Sequence, residues 1–511
     1  MRSFPHASAI ARLWCALIAA GYGAGHPALA CAQADPALIP DVLAYTEPAP
    51  ENRLRALIEI MGVYTVGFTF FLATNDLIPR YDVGYSWPVF RKKLLGEGFE
   101  LDLNGLNTNF VGHPLGGSMY YTMARSNRLN IAESTAFAIG GSFLWELFGE
   151  VREYISINDM IVTPLAGVAI AEPLFQLGAF FDRSSPALHN RVLGTLFAPI
   201  KALNDALDAR RPARAQALDA HGFPAGEYHR FDLRTGAGAT VQDALTRGPQ
   251  GTRTFEYRLA LMSFLARLPS YDGAGRHGLW FADGNISSIQ VDAGLNAAGL
   301  VDFELRTYVG LAGYYARSAA PSDGGLRGHG TLLAWTVGYQ YELHDYDRDR
   351  PRARDRISSV QPLGLLLEER LAWDRLRWVI HIEAGLDFGG VRPYALHPYV
   401  QQADALALPQ LIVDNRYCFM RGAHFLAALS FALEAIEVSG SVRYGRYEGL
   451  DVPLNIDDQA LALQARTSVA LGDSPARLHL MLQRKLRTGS MGAVKTARAD
   501  TTVGLELGAH Y

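Results

Sequence analysis

The sequence predicts an α+β chain in which a helical N-terminal module precedes a transmembrane antiparallel β-barrel of about 12 strands. The C-terminal half is written with a period of two, and the segment before it has helical spacing. An export-type N-terminus sets the compartment. The 511 residues are 49% hydrophobic and only 19% charged, which excludes an intrinsically disordered chain. A net charge of −4 with no long basic stretch argues against nucleic acid as a partner.

Arg2 and Arg12 flank or precede an apolar run from Leu13 to Ala20, and small residues end in Ala28-Leu29-Ala30. A basic region, a short apolar core and an A-x-A site are the parts of a secretory signal peptide, here residues 1–30. Cleavage exposes Cys31, so lipidation of that cysteine is the alternative to plain cleavage. Cys31 and Cys418 would be the two cysteines left to the mature chain, too few for a disulfide framework. Residues 31–50 read as a linker. The stretch Leu57 to Leu72 carries Glu59 and falls short of the ~20 apolar residues of a spanning helix. Export without such an anchor leaves the periplasm, the outer membrane or the exterior.

Residues 51–210 are expected to form a helical domain. Glu51 to Leu72 has helical spacing. Asn130-Ile131-Ala132-Glu133 places a capping residue three positions before a glutamate, which starts a helix to about Glu150. Ser156-Ile157-Asn158-Asp159 starts another to about Phe181. Pro186 to about Ala209 reads as a further helix that Pro199 kinks or ends early. Residues 211–225 connect this domain to the barrel, residues 226–511.

The last strand is the clearest. Thr501, Val503, Leu505, Leu507, Ala509 and Tyr511 alternate with Asp500, Thr502, Gly504, Glu506, Gly508 and His510, one apolar face and one polar. Ending on Tyr511, it is similar to the closing strands that the outer-membrane barrel-assembly machinery reads. The pattern recurs at Leu333, Trp335, Val337, Tyr339 and Tyr341, at Trp378, Ile380 and Ile382, and at Phe303 and Leu305. Further segments lie near 226–236, 252–264, 286–296, 356–372, 422–433, 436–447, 459–471 and 476–487. A soluble β-sandwich also alternates. Long strands, aromatics toward the ends of the apolar faces and mixed charge on the polar faces favour a membrane barrel, as do short turns such as Gly472-Asp473-Ser474 facing long loops such as Asp345 to Arg356.

Several polar residues of the helical domain stand in apolar company. Asn104, Asn107, Asn109 and His113 lead into Pro114-Leu115-Gly116-Gly117-Ser118, then come Trp145-Glu146-Leu147-Phe148-Gly149-Glu150 and Ser156-Ile157-Asn158-Asp159. His-Pro-x-x-Gly, Trp-Glu-x-Phe-Gly-Glu and Ser-Ile-Asn-Asp in this order resemble the bacterial envelope family called domain of unknown function 3943, over about Trp87 to Phe181. The resemblance implies no activity.

His113, Glu146, Glu150 and Asp159 are the candidate catalytic set, with Asn109, Ser118 and Asn158 as candidate substrate-binding residues. Glu146 and Glu150, at i,i+4, are expected on one helix face. Two carboxylates in an apolar setting share a proton, pair with a cation or bind a metal. With His113 they can hold a divalent metal or act as base and acid in hydrolysis. The structural alternative is a polar network: Asn158 and Asp159 capping a helix, His113 on a carbonyl, and the glutamates on Arg125, Arg128 or arginines of the lumen. Gly116-Gly117-Ser118 can bind an anion or let helices pack closely, and Arg348 to Arg356 is a solvated loop or a lipopolysaccharide contact. The expected roles are envelope maintenance or transport, with the helical domain as a plug or periplasmic collar. The alternative is an enzyme that hydrolyses or modifies envelope lipids or lipopolysaccharide. Outer-membrane lipids are the expected partners in either case.

Overall fold

The computed structural model describes residues 41–47, 50–74, 86–150, 153–244, 252–297, 299–344, 355–402, 408, 410–450 and 454–511. The signal peptide, Cys31 and most of Arg348 to Arg356 lie outside them. In the helical domain, α1 (Arg53–Thr74) and α2 (Trp87–Leu94) are followed by β1 (Phe99–Glu100), α3 (His113–Ser126) and α4 (Ile131–Leu144). Then come β2 (Ile155–Ser156), α5 (Ile157–Arg183), α6 (Leu188–Phe197) and α7 (Pro199–Leu207). Asn130 caps α4 by accepting from the Glu133 N–H at 2.9 Å, and Ser156 caps α5 through the Asp159 N–H at 3.1 Å. The helix expected from Pro186 ends early, at Phe197, and Pro199 begins a second one at its first position.

The strands are β3 (Tyr228–Ala244), β4 (Thr252–Ala266), β5 (Gly275–Phe281), β6 (Ile286–Asn296), β7 (Gly299–Ser322), β8 (Gly325–His344) and β9 (Asp355–Asp374). They continue with β10 (Leu376–Val391), β11 (Cys418–Leu433), β12 (Ile436–Gly449), β13 (Ile456–Ala470), β14 (Ala476–Met491) and β15 (Val494–His510). Short helices α8 (Leu396–Gln402) and α9 (Gln410–Asn415) sit in the connection before β11. All pairings in this sheet are antiparallel, and β15 pairs back onto β3, as in Val503 with Ala239. The result is a closed ring of twelve strands, β3, β4, β6 and then β7 through β15. β5 continues the line of β6 along β7 after a break at 282–285. One end of the barrel has short turns, such as 323–324 and 434–435, and the other carries the connection 392–417. The former is the turn end and the latter the loop end.

The alternation sorts side chains as expected. On β14, Leu478, Leu480 and Leu482 are exposed outward while His479 and Met481 are buried. The lumen is filled by its own charges. Lys485 pairs with Asp302 at 3.1 Å, Arg443 with Glu342 at 2.7 Å and Arg230 with Glu437 at 3.2 Å, each across the interior. His381 lies between Glu368 and Glu383, at 3.1 and 2.6 Å. Beside the Arg230–Glu437 pair and His381 lies a cavity of about 270 Å³, with Gln290, Arg306 and Glu368 also in its wall.

The helical domain is neither a plug nor a collar below the barrel: it packs on the outside of the wall. The barrel residues it buries include Leu305, Val309 and Leu311 of β7, Val337 and Tyr339 of β8, Val360 of β9, Phe388 of β10 and Phe419 of β11. On β7 and β8 these are the odd positions, opposite in parity to the lumenal Glu304, Arg306 and Glu342. An outward apolar strand face accepts a helix as readily as lipid, and ion pairs already cross the lumen. α5 lies along the wall. Its first turns meet Tyr339 and Phe419 near the loop end, and Phe180 and Phe181 meet Phe231 at the turn end.

α3 crosses α5 at Gly117 and Gly167. A Cβ on Gly117 would lie 1.8 Å from the Thr163 carbonyl oxygen, so glycine is what allows the contact. Contrary to the expectation that no helix reaches membrane-spanning length, α5 is long and apolar enough. Its Glu172 and Gln176 are absorbed by a polar network that fixes the bundle to the barrel. Arg125 binds Glu172 through two hydrogen bonds of 3.1 Å, and Tyr121 donates to the same carboxylate at 2.7 Å. Arg125 also reaches Asp283 at 3.3 Å, and Gln176 donates to the Gly284 carbonyl at 2.5 Å, inside the break between β5 and β6.

Candidate functional site

At the loop end of the bundle, the segment from β1 to α3 folds back across the start of α5. β1 pairs in parallel with β2, Phe99 opposite Ile155 and Glu100 opposite Ser156, which brings residues 98–104 beside 155–159. The Asp102 N–H donates to Asn158 Oδ1 at 3.0 Å, and Asn158 Nδ2 donates to Asp159 Oδ1 at 2.9 Å. One asparagine thus positions two aspartates. Asn109 Nδ2 donates to Asp102 Oδ1 at 2.6 Å and Asn104 Nδ2 to Asp102 Oδ2 at 2.8 Å. A π-helical turn, Thr108–Gly112, runs directly into α3 and sets His113 facing them. Such turns are rare and recur at functional sites.

His113 Nε2 lies 3.5 Å from Asp159 Oδ2. One ligand-type atom from each of Asp102, His113 and Asp159 falls within 4.8 Å of the others. His113 Nε2, Asp159 Oδ2 and Asn109 Oδ1 are all buried without a hydrogen-bond partner. Asp159 is 1% exposed and Asn109 fully buried. Among the described residues no lysine or arginine pairs with either aspartate, and the basic group nearest Asp159 is the His113 imidazole.

The two glutamates do not share a helix face. Residues Trp145–Gly149 form a second π-helical turn, and Glu150 leaves the helix at φ −101°, ψ 62°. Spacing by 3.6 residues therefore misplaces them. Glu146 Oε2 accepts the Ser156 N–H at 2.9 Å, while Glu150 Oε1 accepts the Trp145 indole N–H at 3.2 Å. Neither pairs with Arg125, which serves Glu172, or with Arg128, whose guanidinium stacks over Tyr45. Their cationic neighbour is Lys93, which donates to the Glu146 and Glu150 carbonyls that end the turn. Burial, with Glu150 nearby, pushes the Glu146 carboxyl up to about 9, and burial with Glu153 nearby pushes Glu150 up to about 7. Both are thus poised to hold a proton near neutral pH.

The structure therefore brings His113, Asp159, Asn109 and Asn158 together and sets Glu146 beside them through Ser156. Ser118 lies at the helix crossing instead, its hydroxyl on the Pro114 carbonyl at 2.8 Å and near that of Gly167 at 3.3 Å. Sequence reasoning missed Asp102, although it stands between Leu101 and Leu103 and two residues before Asn104. It also missed Tyr417, the residue before β11, which donates to the Asn104 carbonyl at 2.8 Å and accepts from Asn109 at 3.0 Å. No local pattern marks that tyrosine, because its partners lie some three hundred positions earlier.

Residues 98–200, from β1 into α7, match the family model described as "Domain of unknown function (DUF3943)". No curated protein matches the chain. Among solved structures, similar chains include an anion-selective porin from Comamonas acidovorans, 9% identical, with 56% of this chain and 99% of that one covered, at a TM-score of 0.22. Others are a loop-deletion mutant of OmpT, an outer membrane protein of Vibrio cholerae (8% identity, 56% and 100% covered, TM-score 0.19), and the β domain of the Bordetella autotransporter BrkA (14% identity, 54% and 98% covered, TM-score 0.19). Scores of that size say nothing about function, and the barrel is read from its own closed hydrogen-bond ladder. The chain carries a DUF3943 domain joined to a β-barrel of the outer-membrane type.

Proposed function

We propose that the working part of this protein is the loop-end site of the helical bundle, and that it hydrolyses or transfers a group on envelope lipid. The observation that carries this reading is the meeting of two aspartates and one imidazole around buried atoms of His113 and Asp159 that no hydrogen bond in the protein satisfies. In this reading Asp102, His113 and Asp159 bind the reacting group, Glu146 and Glu150 hold or move protons, and Asn109 and Asn158 fix the aspartates. A lumen crossed by ion pairs supports a scaffold better than a conduit. The outward faces of α1, α3 and α4 present Ile58, Met61, Phe68, Leu115, Met119, Ile139 and Phe143 to the surroundings. Such a surface beside an apolar barrel wall fits immersion of the bundle in the bilayer. Short turns face the periplasm in outer-membrane barrels, so the site would lie at the outer leaflet, where lipopolysaccharide is the lipid. Insertion would rely on the assembly machinery reading the last strand, with Tyr511 at its end.

The test is mass spectrometry of outer-membrane lipids from cells with the wild-type protein, without it, or with Asp159→Asn or Glu146→Gln at matched abundance. The variants are expected to reproduce the lipid change of the deletion. Identical lipids in all four strains would reject the reading and leave a role in envelope maintenance. That second reading has its own support in the fully partnered Arg125–Glu172 network, which makes the bundle part of the wall.

A further inference from the structure

The loop-end cluster has a charge problem. Two aspartates and one histidine are held together, and among the described residues no lysine or arginine pairs with either aspartate. Uncompensated carboxylates away from water are strongly disfavoured. A single imidazolium could offset one of them, but the expected charged hydrogen bond is missing. His113 Nε2 and Asp159 Oδ2 stand 3.5 Å apart with no partner for either, well beyond the roughly 2.7–2.9 Å of a charge-assisted bond. Two ligands each about 2.1 Å from a tetrahedral ion would lie about 3.4 Å apart.

We propose that Asp102, His113 and Asp159 bind one divalent transition-metal ion, of the kind that accepts mixed imidazole and carboxylate ligands, with zinc as its representative. The surrounding hydrogen bonds suit this role. Asn158 occupies Asp159 Oδ1 and leaves Oδ2 free, and Asn109 and Asn104 hold the Asp102 carboxylate in place. Such outer partners orient ligands and tune their basicity. The imidazole selects against magnesium and calcium, which take oxygen ligands. Three protein ligands leave a fourth position for water or substrate.

This inference rests on reading the cluster as the working site, but its test needs no turnover. The full chain, purified in detergent and stripped with chelator, is titrated with Zn²⁺ alone by calorimetry, and Co²⁺ loading is followed by visible absorption. The expected result is one equivalent of Zn²⁺ per folded chain, with at least tenfold weaker binding and loss of the cobalt band in His113→Gln and Asp159→Asn. His344→Gln, in the lumen, should leave binding unchanged. Heat-dependent gel mobility reports the barrel and limited proteolysis the bundle. If a variant fails either check, Asp102→Asn replaces it. No saturable binding by the folded wild type, or equal binding by the folded variants, overturns the proposal. Zinc binding with unchanged lipids would instead sink the lipid function alone. A lipid change without metal would leave that function and remove the ion.

Discussion

Two of the buried polar clusters in the bundle differ in charge balance and in how fully their atoms are engaged. At mid-height, Arg125, Tyr121 and Gln176 surround Glu172, so charge is balanced and the carboxylate is fully engaged. At the loop end, Asp102, His113 and Asp159 combine two acids with an imidazole and leave atoms unpartnered. The first cluster is complete without a ligand and the second is not. Glu172 and Asp159 are both buried, and the balance of charge together with the state of the hydrogen bonds tells the lock from the site.

The sharpest way to break this comparison is to unbalance the lock. Arg125→Met leaves Glu172 buried and unpaired, and is expected to weaken bundle docking by about 3–5 kcal/mol. Limited proteolysis of α3 and α5 would read this, and the double variant with Glu172→Met should recover most of the loss. Next is the helix crossing. Gly117→Ala forces a Cβ onto the Thr163 carbonyl and should cost about 1–3 kcal/mol through displaced helices, measured by hydrogen exchange in α3. A third effect depends on pH. Because burial raises the Glu150 and Glu146 carboxyls to about 7 and about 9, the folded bundle binds protons more tightly than the unfolded chain. Stability is full below the ordinary glutamate value near 4.3. It falls as pH rises through 7 and then 9, by at most about 1.4 kcal/mol per pH unit per group. Glu150→Gln should flatten the lower part of that fall in pH-dependent proteolysis. The smallest effect is that of Asp159→Asn, which replaces a buried acid with a neutral amide of the same shape and should change the stability of the metal-free bundle by about 1 kcal/mol or less. If it destabilised the bundle as much as Arg125→Met does, the two clusters would be of one kind.

The barrel was legible because a strand declares its two faces locally. Val503, Leu505 and Leu507 point outward and Thr502 and Glu506 inward, as the alternation requires. What lies against the outward face was not legible. Trp335 is exposed and Val337 is covered by the bundle, yet both sit at apolar positions of the same alternation. At the site, His113, Asn158 and Asp159 stood out as polar residues in apolar company, and their meeting follows from capping and short-range pairing. Glu146 and Glu150 were misplaced because a π-helical turn breaks the period used to relate them. Tyr417 and Lys93 act through contacts set by the tertiary fold alone.

The break between β5 and β6 bears on how this molecule enters a membrane. Its exposed peptide groups are satisfied from outside the strand ladder: Gln176 of α5 takes the Gly284 carbonyl at 2.5 Å, and Arg267 takes that of Asp283 at 2.7 Å. Hydrocarbon offers nothing to bare peptide groups. A barrel stripped of its bundle would present hydrocarbon with a polar notch in its side, and the bundle alone would present Gln176 without its barrel partners Gly284 and Ser287. In the proposed placement the bundle therefore docks before or as the wall closes, and the two parts reach the bilayer as a single passenger.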